Sequence, residues 1–549
     1  METITQTDRE RIKRESRHLR GQLARELADM SAVRFTPESE QILAFHGVIA
    51  GYHRDTAEAR QQAGLDREYG FSVRIACPGG SINRDQYLGL DALSMEFGDG
   101  TLRVSRGHCL MLHHVKKQSL PLLLRAIGQL GLSTLATAGD VLLPISHPAQ
   151  LGQHPLQADI AADAALLESL RLPKTTAYRE LWYGEPECDH GDVNPEPLYG
   201  RSYLPSPLTM AMTTGDLAGA ALGADIVLVA DAAGAELAGY HLLVGGHLAD
   251  PPALAAALAY VPRPELMRTI EALVKLWRDH GPREGQERRR LSEVIRSEGT
   301  EWMCQTMQHY LMAPLQQPRS WQPNIVRPSY GWQLRPDGTS AVELPLLAGR
   351  ITNHDGEALQ TALGDVLSEH DLTLHLTPQN HLVLAGIREE ERITVEYKLR
   401  RHGVAPVHEG RGLKSTLTGC AALPLCLDAK AESERVLPVI LGELEQVMER
   451  CGLHGVSPRV SVSGCDKGCA AARLAEIGLV GVAPGLYDLY VGGSPAEHRI
   501  NRLLARRLPL SDLAAVLEPL FASWSAERMA DESFGDYDHR TRPLSADAA

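Results

Sequence analysis

The chain has 549 residues, of which 44% are hydrophobic and 23% are charged, and its formal charge at pH 7 is −14. This length is too great for one hydrophobic core and predicts several domains, and the negative charge argues against a general binder of nucleic acid or anionic membranes. The charged N-terminal segment METITQTDRERIKRESRHLR predicts no signal peptide, and no uninterrupted apolar run is long enough to predict a membrane span. Nine cysteines are an odd and sparse set, which predicts a reduced, cytoplasmic setting.

Two distant parts of the chain share one order of predicted elements. Residues 73–115 and residues 342–387 each combine an apolar strand, a glycine turn, an amphipathic helix and a second alternating strand. So long a period predicts the duplication of a large module rather than a solenoid, although this order of elements also recurs by chance.

The segment between the two copies contains two further patterns. Residues 225–246 predict two strands joined by a turn at Asp231, and the apolar spacing of residues 253–280 predicts a helix. A proline-rich stretch then predicts the connection that leads back to the second copy.

Helices and short strands are predicted after the second copy. Residues 436–450 predict an amphipathic helix, and residues 459–462 predict a strand that ends just before a pair of cysteines. Residues 474–493 predict short strands around a Pro-Gly turn. Ser511 is predicted to cap a last helix, and the polar tail after Phe534 is predicted to be frayed.

Four cysteines near the C-terminus have the spacing of a metal centre. Cys420 and Cys426 form a C-x5-C pair, and Cys465 and Cys469 form a C-x3-C pair. Four thiolates of this kind suit an iron–sulfur cluster or a structural zinc ion, and coincidence is the remaining alternative. A C-x5-C arm is long for a zinc knuckle, and nearby glycines allow the backbone to approach a bulky cluster, so the pattern favours iron–sulfur. The other cysteines are predicted to be small buried hydrophobic residues: Cys77, Cys109, Cys188, Cys304 and Cys451.

The cysteine segments TGCAALPLCLDAKAESERVLP and VSVSGCDKGCAAARLAEIGLVGVAPGLYDLYVGG resemble the cluster-binding segments of the siroheme-dependent sulfite and nitrite reductases. Within that family the similarity is greatest to the hemoprotein (beta) subunits of NADPH-dependent assimilatory sulfite reductases. The resemblance covers nearly the whole chain, and further segments carry it: ESRHLRGQLARELAD, ILAFHGVIAGYHRDTAEAR, VRIACPGG, LATAGD, TTAYRELW, SYLP and HLLVGG.

The resemblance implies an α+β fold with duplicated, pseudo-twofold ferredoxin-like halves and two α/β lobes that bind siroheme and the cluster. The implied domains are an N-terminal arm (1–70), a ferredoxin-like domain in two parts (71–136 and 328–400), a first siroheme-binding domain (137–327) and a second one that carries the cysteines (401–549). Cys420, Cys426, Cys465 and Cys469 would hold a [4Fe–4S] cluster, and Cys469 would also share its sulfur with the siroheme iron.

The implied activity is the six-electron reduction of a small oxyanion, sulfite to sulfide or nitrite to ammonia. The chain has no GxGxxG dinucleotide fingerprint after a strand. A flavoprotein that carries FAD or FMN and uses NADPH, or a ferredoxin, is therefore the expected electron donor.

The anion site is where this chain departs from the family, which places two arginines and two lysines around the bound anion. One arginine is present as Arg74. The position of the second is Leu143, and the positions of the two lysines are Pro207 and Thr209. Three missing cations, each able to make a charge-assisted hydrogen bond worth roughly 1.5–3 kcal/mol, predict much slower turnover unless other groups replace them.

Other polar residues are weaker candidates for the site. Arg106 matches a siroheme-binding arginine of the family. Lys467 lies between the last two cysteines, and it would either pair with a siroheme carboxylate or be a solvated surface charge. His113, His114 and His147 are possible replacement donors when protonated, but histidines in such positions are more often packed or at the surface.

Three hypotheses follow. The first is a siroheme and [4Fe–4S] reductase of sulfite or nitrite. The second is a divergent paralogue that keeps both cofactors and reduces another small molecule. The third is a cofactor-bearing electron carrier or sensor without reductase activity. The missing cations favour the last two, and the overall similarity favours a reductase.

Overall fold

The structure is a computed structural model of the whole chain. It describes residues 4–542 except 150–153, 187–195, 216–217, 235, 288, 324–330, 355, 406–411, 495 and 497. Cys188 and the predicted domain boundary at 327/328 lie outside these residues. Within the described ranges, no helix combines the length and the apolar character that a bilayer crossing requires.

The strands, numbered in chain order, are β1 Val48–Tyr52, β2 Tyr69–Ala76, β3 Ser81–Asn83, β4 Leu102–Ser105, β5 Cys109–Val115, β6 Met210–Thr213, β7 Ile226–Ala233, β8 Glu236–Val244, β9 Ala256–Pro262, β10 Trp332–Leu334, β11 Ser340–Leu344, β12 Arg350–Ile351, β13 Asn353–His354, β14 Glu357–Ala358, β15 Thr373–Leu376, β16 Leu382–Ile387, β17 Leu417–Gly419, β18 Val460–Ser463, β19 Ile477–Ala483, β20 Leu486–Val491 and β21 Arg502–Pro509.

The α-helices are α1 Gln6–Glu15, α2 Leu23–Ala28, α3 Pro37–Phe45, α4 Arg54–Gln62, α5 Arg84–Phe97, α6 Leu120–Gln129, α7 Gln157–Arg171, α8 Ala177–Tyr183, α9 Leu266–His280, α10 Leu291–Leu311, α11 Leu359–Glu369, α12 Glu389–Arg401, α13 Leu413–Thr416, α14 Leu437–Arg450, α15 Leu513–Glu527 and α16 Phe534–Thr541.

The two predicted copies form two five-stranded antiparallel sheets that exchange an edge strand. The strand order is β1-β2-β5-β4-β12 in the first sheet and β10-β11-β16-β15-β3 in the second. Short β3, from the first copy, therefore pairs with β15 of the second, and β12 of the second copy pairs with β4 of the first. Each copy thus completes the sheet of the other, which confirms the predicted duplication and the ferredoxin-like halves.

Two further sheets form the lobes, and they repeat one pattern. In the first lobe β6 and β7 run parallel, and β8 and β9 follow as antiparallel neighbours. In the second lobe β18 and β19 run parallel, and β20 and β21 follow in the same way, with β17 added in parallel beside β18. The second lobe has its own apolar core, which includes Leu444, Leu479 and Phe521.

Three predictions about elements need correction. Residues 256–262, predicted as part of a helix, form β9, because the edge of buried β8 offers ladder hydrogen bonds that outweigh the helix preference of the alanines. Ser511 caps no helix, because a 3-10 turn over Leu510–Asp512 precedes the first residue of α15. Residues after Phe534 form α16, whose Phe534 packs with centroids 5.2 Å from Phe521.

The cysteines outside the C-terminal four are free where the structure describes them. Cys77 and Cys109 are buried, as predicted, while Cys304 and Cys451 are only partly buried.

Candidate functional site

Cys420 directly follows β17, and Cys465 lies two residues after the end of β18, the parallel neighbour of β17. β17 pairs with β18, with Gly419 opposite Val462, so both strands deliver their cysteines to one edge of the sheet. Carboxyl ends of parallel strands are a common location of binding sites for this reason. The backbone N–H of Gly464 donates to the Cys420 sulfur at 3.3 Å.

All four C-terminal cysteines converge at this edge. In every pair among Cys420, Cys426, Cys465 and Cys469, one thiol lies close enough for its charge to raise the pKa of another. Yet among the described residues no three His, Cys, Asp or Glu side chains are grouped as a single metal ion requires. The convergence of four thiols, rather than a single-ion ligand group, fits a [4Fe–4S] cluster.

Cys469 is surrounded by protein atoms and is also open to solvent. Burial, followed by the nearby Cys420, raises the pKa of its thiol to about 12, while Arg106 opposes the rise. The residue is nonetheless exposed to solvent, so it lies deep among protein atoms with open space in front of it. Such a thiol must lose its proton when it binds a metal group, and the positive charge of Arg106 favours that loss.

The loop that carries Cys426 is held by Arg54, at the start of α4. One guanidinium nitrogen of Arg54 donates to the carbonyl oxygens of Cys426 (3.1 Å), Leu427 (3.1 Å) and Ala429 (2.8 Å). Sequence reasoning included Arg54 in a family-like segment, GYHRD, but gave it no role. Its partners are backbone carbonyls far along the chain, and backbone partners leave no pattern in the sequence.

The first lobe closes over the C-x3-C loop at Gly468. This glycine has φ +74°, and a Cβ at its position would lie 2.2 Å from the carbonyl oxygen of Leu248. The backbone N–H of Asp250 donates to the carbonyl of Asp466 at 2.9 Å. Only glycine allows the two lobes to approach this closely beside Cys469.

Arg74 and Arg106 lie together. The guanidinium of Arg74 donates to the carbonyl oxygens of Thr137, at 2.9 Å, and of Arg106, while its Nε is buried without a hydrogen-bond partner. The structure therefore brings Arg74, Arg106 and Cys469 into one region, although the sequence separates them widely.

The three positions that lack the family's cations have other roles. The N–H of Leu143 donates to the carbonyl of Leu208 at 2.8 Å, and the Leu143 side chain packs against the main core. Thr209 binds the buried carboxylate of Asp225 through its N–H (2.9 Å) and its hydroxyl (2.6 Å). Burial raises the pKa of Asp225, and the Thr209 hydroxyl opposes the rise. Pro207 is partly exposed.

The remaining candidates have identifiable partners. Lys467 forms an ion pair with Asp428 at 2.7 Å, with both side chains more than half exposed, so its cofactor role stays a prediction. His113 accepts from the Nε of Arg103 at 3.2 Å and lies 2.9 Å from the Ser72 hydroxyl, and burial holds its pKa well below the ordinary value. His114 lies beside His53, 5.2 Å between ring centroids. A buried neutral His113 is a poor donor to an anion.

Comparisons with known proteins agree with this geometry. Residues 65–130 match the model of the nitrite/sulfite reductase ferredoxin-like half domain, and residues 165–315 match that of the nitrite and sulphite reductase 4Fe-4S domain. The second match lies in the first lobe, whereas the four cysteines lie in the second, whose strand order repeats that of the first.

Whole-chain relatives extend the comparison. The chain is 32% identical to the sulfite reductase [NADPH] hemoprotein beta-component of Myxococcus xanthus (strain DK1622) over 539 residues, 96% of this chain and 95% of the relative. It is 31% identical to the protein of the same description from Xylella fastidiosa (strain M23), over 97% of this chain and 95% of the relative. The structure of the Mycobacterium tuberculosis NirA protein has the same fold, with a TM-score of 0.79 at 19% identity, and the match covers 98% of this chain and 97% of that one. Since the fold, the four converging thiols and relatives matched over nearly their full length all agree, the chain belongs to the nitrite and sulphite reductase family of oxidoreductases.

Proposed function

We propose that this protein is a siroheme- and [4Fe–4S]-dependent reductase that converts sulfite to sulfide, with nitrite to ammonia as the related reaction. The observation that carries the proposal is the position of Cys469. This thiol completes the set of four sulfurs, is exposed to solvent and lies close enough to Arg106 to feel its charge. A sulfur placed in this way is able to join a cluster on one side to a second metal group on the other.

Different residues of the chain are proposed to bind the cluster, the macrocycle and the substrate. Cys420, Cys426, Cys465 and Cys469 hold the cluster, and the bound cofactors supply single-electron storage and transfer to the substrate. Arg106 offers positive charge to an anionic macrocycle beside Cys469. Arg74, whose Nε has no partner, offers a charge-assisted hydrogen bond to the substrate anion.

An electron-donating partner is part of the proposal. The relatives are named as hemoprotein beta-components of an NADPH enzyme, which supports a flavoprotein donor over a ferredoxin. A cleft of about 110 Å³ opens beside Cys465, flanked by Lys430 and Arg473, and gives a donor access to the cluster ligands. The cytoplasmic location stays a prediction from the cysteine content.

A divergent paralogue is the second candidate, because specific positions favour it. Leu143 packs into the core and Thr209 is engaged by Asp225, so neither supplies the cation that the family places there. A site with fewer cations would suit a less anionic substrate than sulfite. If no substrate is reduced at all, the protein would be an electron carrier or a sensor.

Steady-state assays with reduced methyl viologen separate these candidates. The proposed reductase oxidises six viologens for each sulfite and releases one sulfide. A paralogue with both cofactors but no turnover of sulfite or nitrite would contradict the proposal. Hydroxylamine, a neutral substrate, would then test for a less anionic preference.

A further inference from the structure

A small cavity lies next to the segments that carry the proposed anion site. Its volume is about 20 Å³, and its walls continue the three segments that carry Arg74, Arg106 and Leu143. The residues that matter here are Ala76, Gly107, His108, Pro144, His147 and Glu168. The outer wall reaches exposed Pro78 and Ala165, so the cavity lies between the protein surface and the site.

His108 faces this cavity with both ring nitrogens unsatisfied. The residue is 4% exposed, and neither nitrogen has a hydrogen-bond partner. Its ring approaches the backbone of His147 without hydrogen-bonding geometry, and the two imidazole centroids are 4.6 Å apart, edge to face. A neutral imidazole has one donor and one acceptor, and a buried polar group without a partner costs about 1–3 kcal/mol. A cavity of this size holds one water molecule and is too small for an organic ligand.

His147 and Glu168 continue the polar lining towards the surface. The Nδ1 of His147 lies 3.0 Å from the carbonyl oxygen of Pro148. Because a carbonyl only accepts, Nδ1 carries the proton and Nε2 is left as an acceptor. Glu168 accepts from the N–H of Ile145 at 3.1 Å and from the Nε of Arg171, and its side chain is 26% exposed.

The proposed reaction needs many protons at this place. One sulfite, six electrons and eight protons give one hydrogen sulfide and three waters, so each oxygen leaves only after it has been protonated. The resemblance implies that four cationic side chains surround the bound anion in this family. In this chain Leu143, Pro207 and Thr209 stand at three of those four positions. Leu143 and Pro207 have no side-chain proton to give, and the Thr209 hydroxyl is bound to Asp225, so the protons need a route from solvent.

We propose that Glu168, His147, a water in the cavity and His108 form a proton path from the surface to the substrate site. Glu168 takes a proton from solvent and passes it to Nε2 of His147, which releases it from the same nitrogen to the water, because Nδ1 stays bonded to the carbonyl of Pro148. His108 accepts a proton at one ring nitrogen and releases one from the other, so both rings return to the neutral state. Burial keeps the pKa of both histidines below the ordinary value, which makes the neutral ring the resting form. The path rests on the proposed reductase function.

The test compares His108→Asn with His375→Asn in the holoenzyme. Asparagine keeps a hydrogen-bonding amide near the position of Nδ1 but does not relay protons. His375 is buried beside His147, also has an unpaired nitrogen, and lies outside the cavity wall. Both variants are assayed with saturating reduced viologen and varied sulfite in H2O and D2O.

The path predicts that His108→Asn lowers kcat by about 100-fold with KM unchanged, since proton transfer by a positioned side chain contributes 10²–10⁴-fold. It also predicts a larger solvent isotope effect on kcat, with unchanged siroheme and iron content. A crystal structure of the holoenzyme should show a water within hydrogen-bond distance of a His108 ring nitrogen. His147→Gln should lower kcat in the same way. If His108→Asn does not fold, His147→Gln serves as the test variant in its place.

Several results would overturn the path. They are an unchanged kcat and isotope effect in His108→Asn, an equal loss in His375→Asn, a rise in KM alone, or a dry cavity in the crystal. A wild-type protein that turns over neither sulfite nor nitrite overturns the function and the path together. An active wild type with an unaffected His108→Asn overturns the path alone.

Discussion

Arg54 holds the backbone of the loop that carries Cys426 without binding the sulfur itself. Its three hydrogen bonds fix the backbone of the Cys426 loop, and each charged hydrogen bond of this kind is worth about 1.5–3 kcal/mol. We therefore expect Arg54→Gln to lower the iron and acid-labile sulfide bound per chain by more than half, measured on purified protein. Arg60→Gln, on the same helix, removes only a bond to the Asp66 carbonyl and should bind a full cluster. Equal cluster content in the two variants would contradict this role.

The missing cations give a second prediction at the residue scale. Restoring them as Leu143→Arg with Pro207→Lys should lower the KM for sulfite by about tenfold or more, because each new charge-assisted bond adds about 1.5–3 kcal/mol. Thr209→Lys alone should do less, because the carboxylate of Asp225 lies beside position 209 and would pair with the new ammonium. Steady-state kinetics of the two variants and the wild type check this order. A larger gain from Thr209→Lys than from the double variant would show that Asp225 does not compete.

At the residue scale, spacing alone suggested a common position for the four cysteines, whose roles as cluster ligands stay predictions. The C-x5-C and C-x3-C pairs predicted a single centre, and the structure brings the four thiols together. The hydrogen bonds between Thr209 and Asp225 could not be predicted, because the sequence around a threonine does not show which distant side chain it will contact. Arg54 was missed because it binds carbonyl groups, which every residue has.

At the scale of elements, the duplication was visible in the sequence but the exchange of strands was not. β3 and β12 have three and two residues, too few for an alternating pattern, and each follows a tight turn. Their pairing depends on where each turn directs the chain. The wrong helix prediction at β9 has a similar cause. Its alanine-rich sequence favours a helix, but hydrogen bonding to the neighbouring strand β8 makes it a strand.

The buried carboxyl of Glu476 links β19 to α16 and makes a prediction about pH. It accepts N–H bonds from Arg459 (2.7 Å) and Gly535 (2.8 Å), and burial raises its pKa from 4.5 to about 7. The folded state then holds this proton more tightly than the unfolded state, so stability is full below pH 4.5 and falls as pH rises to about 7. The loss is about 3 kcal/mol, at 1.36 kcal/mol per pKa unit.

Urea unfolding at pH 5 and at pH 8 checks this prediction. The wild type should lose stability between the two values relative to Glu476→Gln, which has no titrating carboxyl. Parallel pH dependence in the two proteins would mean that Glu476 has an ordinary pKa.

At the scale of the whole molecule, Glu434 joins parts of the chain that are far apart in sequence. It binds Arg103 of β4 and lies 3.4 Å from the Nε of Arg350 on the exchanged strand β12. Arg103 is 4% exposed, and its Nη1 also donates to the Ala348 carbonyl at 2.6 Å. The first sheet, the exchanged strand and the second lobe therefore meet at one largely buried carboxylate.

Glu434→Gln should destabilise the protein by about 3–5 kcal/mol, because it leaves buried guanidinium charge without its counterion. Glu432→Gln is the matched control, since its exposed pair with Arg435 is worth about 1 kcal/mol or less. The midpoints of chemical unfolding measure both effects. Similar midpoints for the two variants would show that Glu434 does not hold the junction.

The shared sulfur of Cys469 is the central claim, and one absorption measurement tests it most directly. The purified wild-type protein should show a Soret band, a red-shifted chlorin-type band and cluster absorption. Cys469→Ser should disturb the macrocycle and cluster features together. A colourless, zinc-containing wild type, or a variant that loses one cofactor and keeps the other intact, would contradict the account.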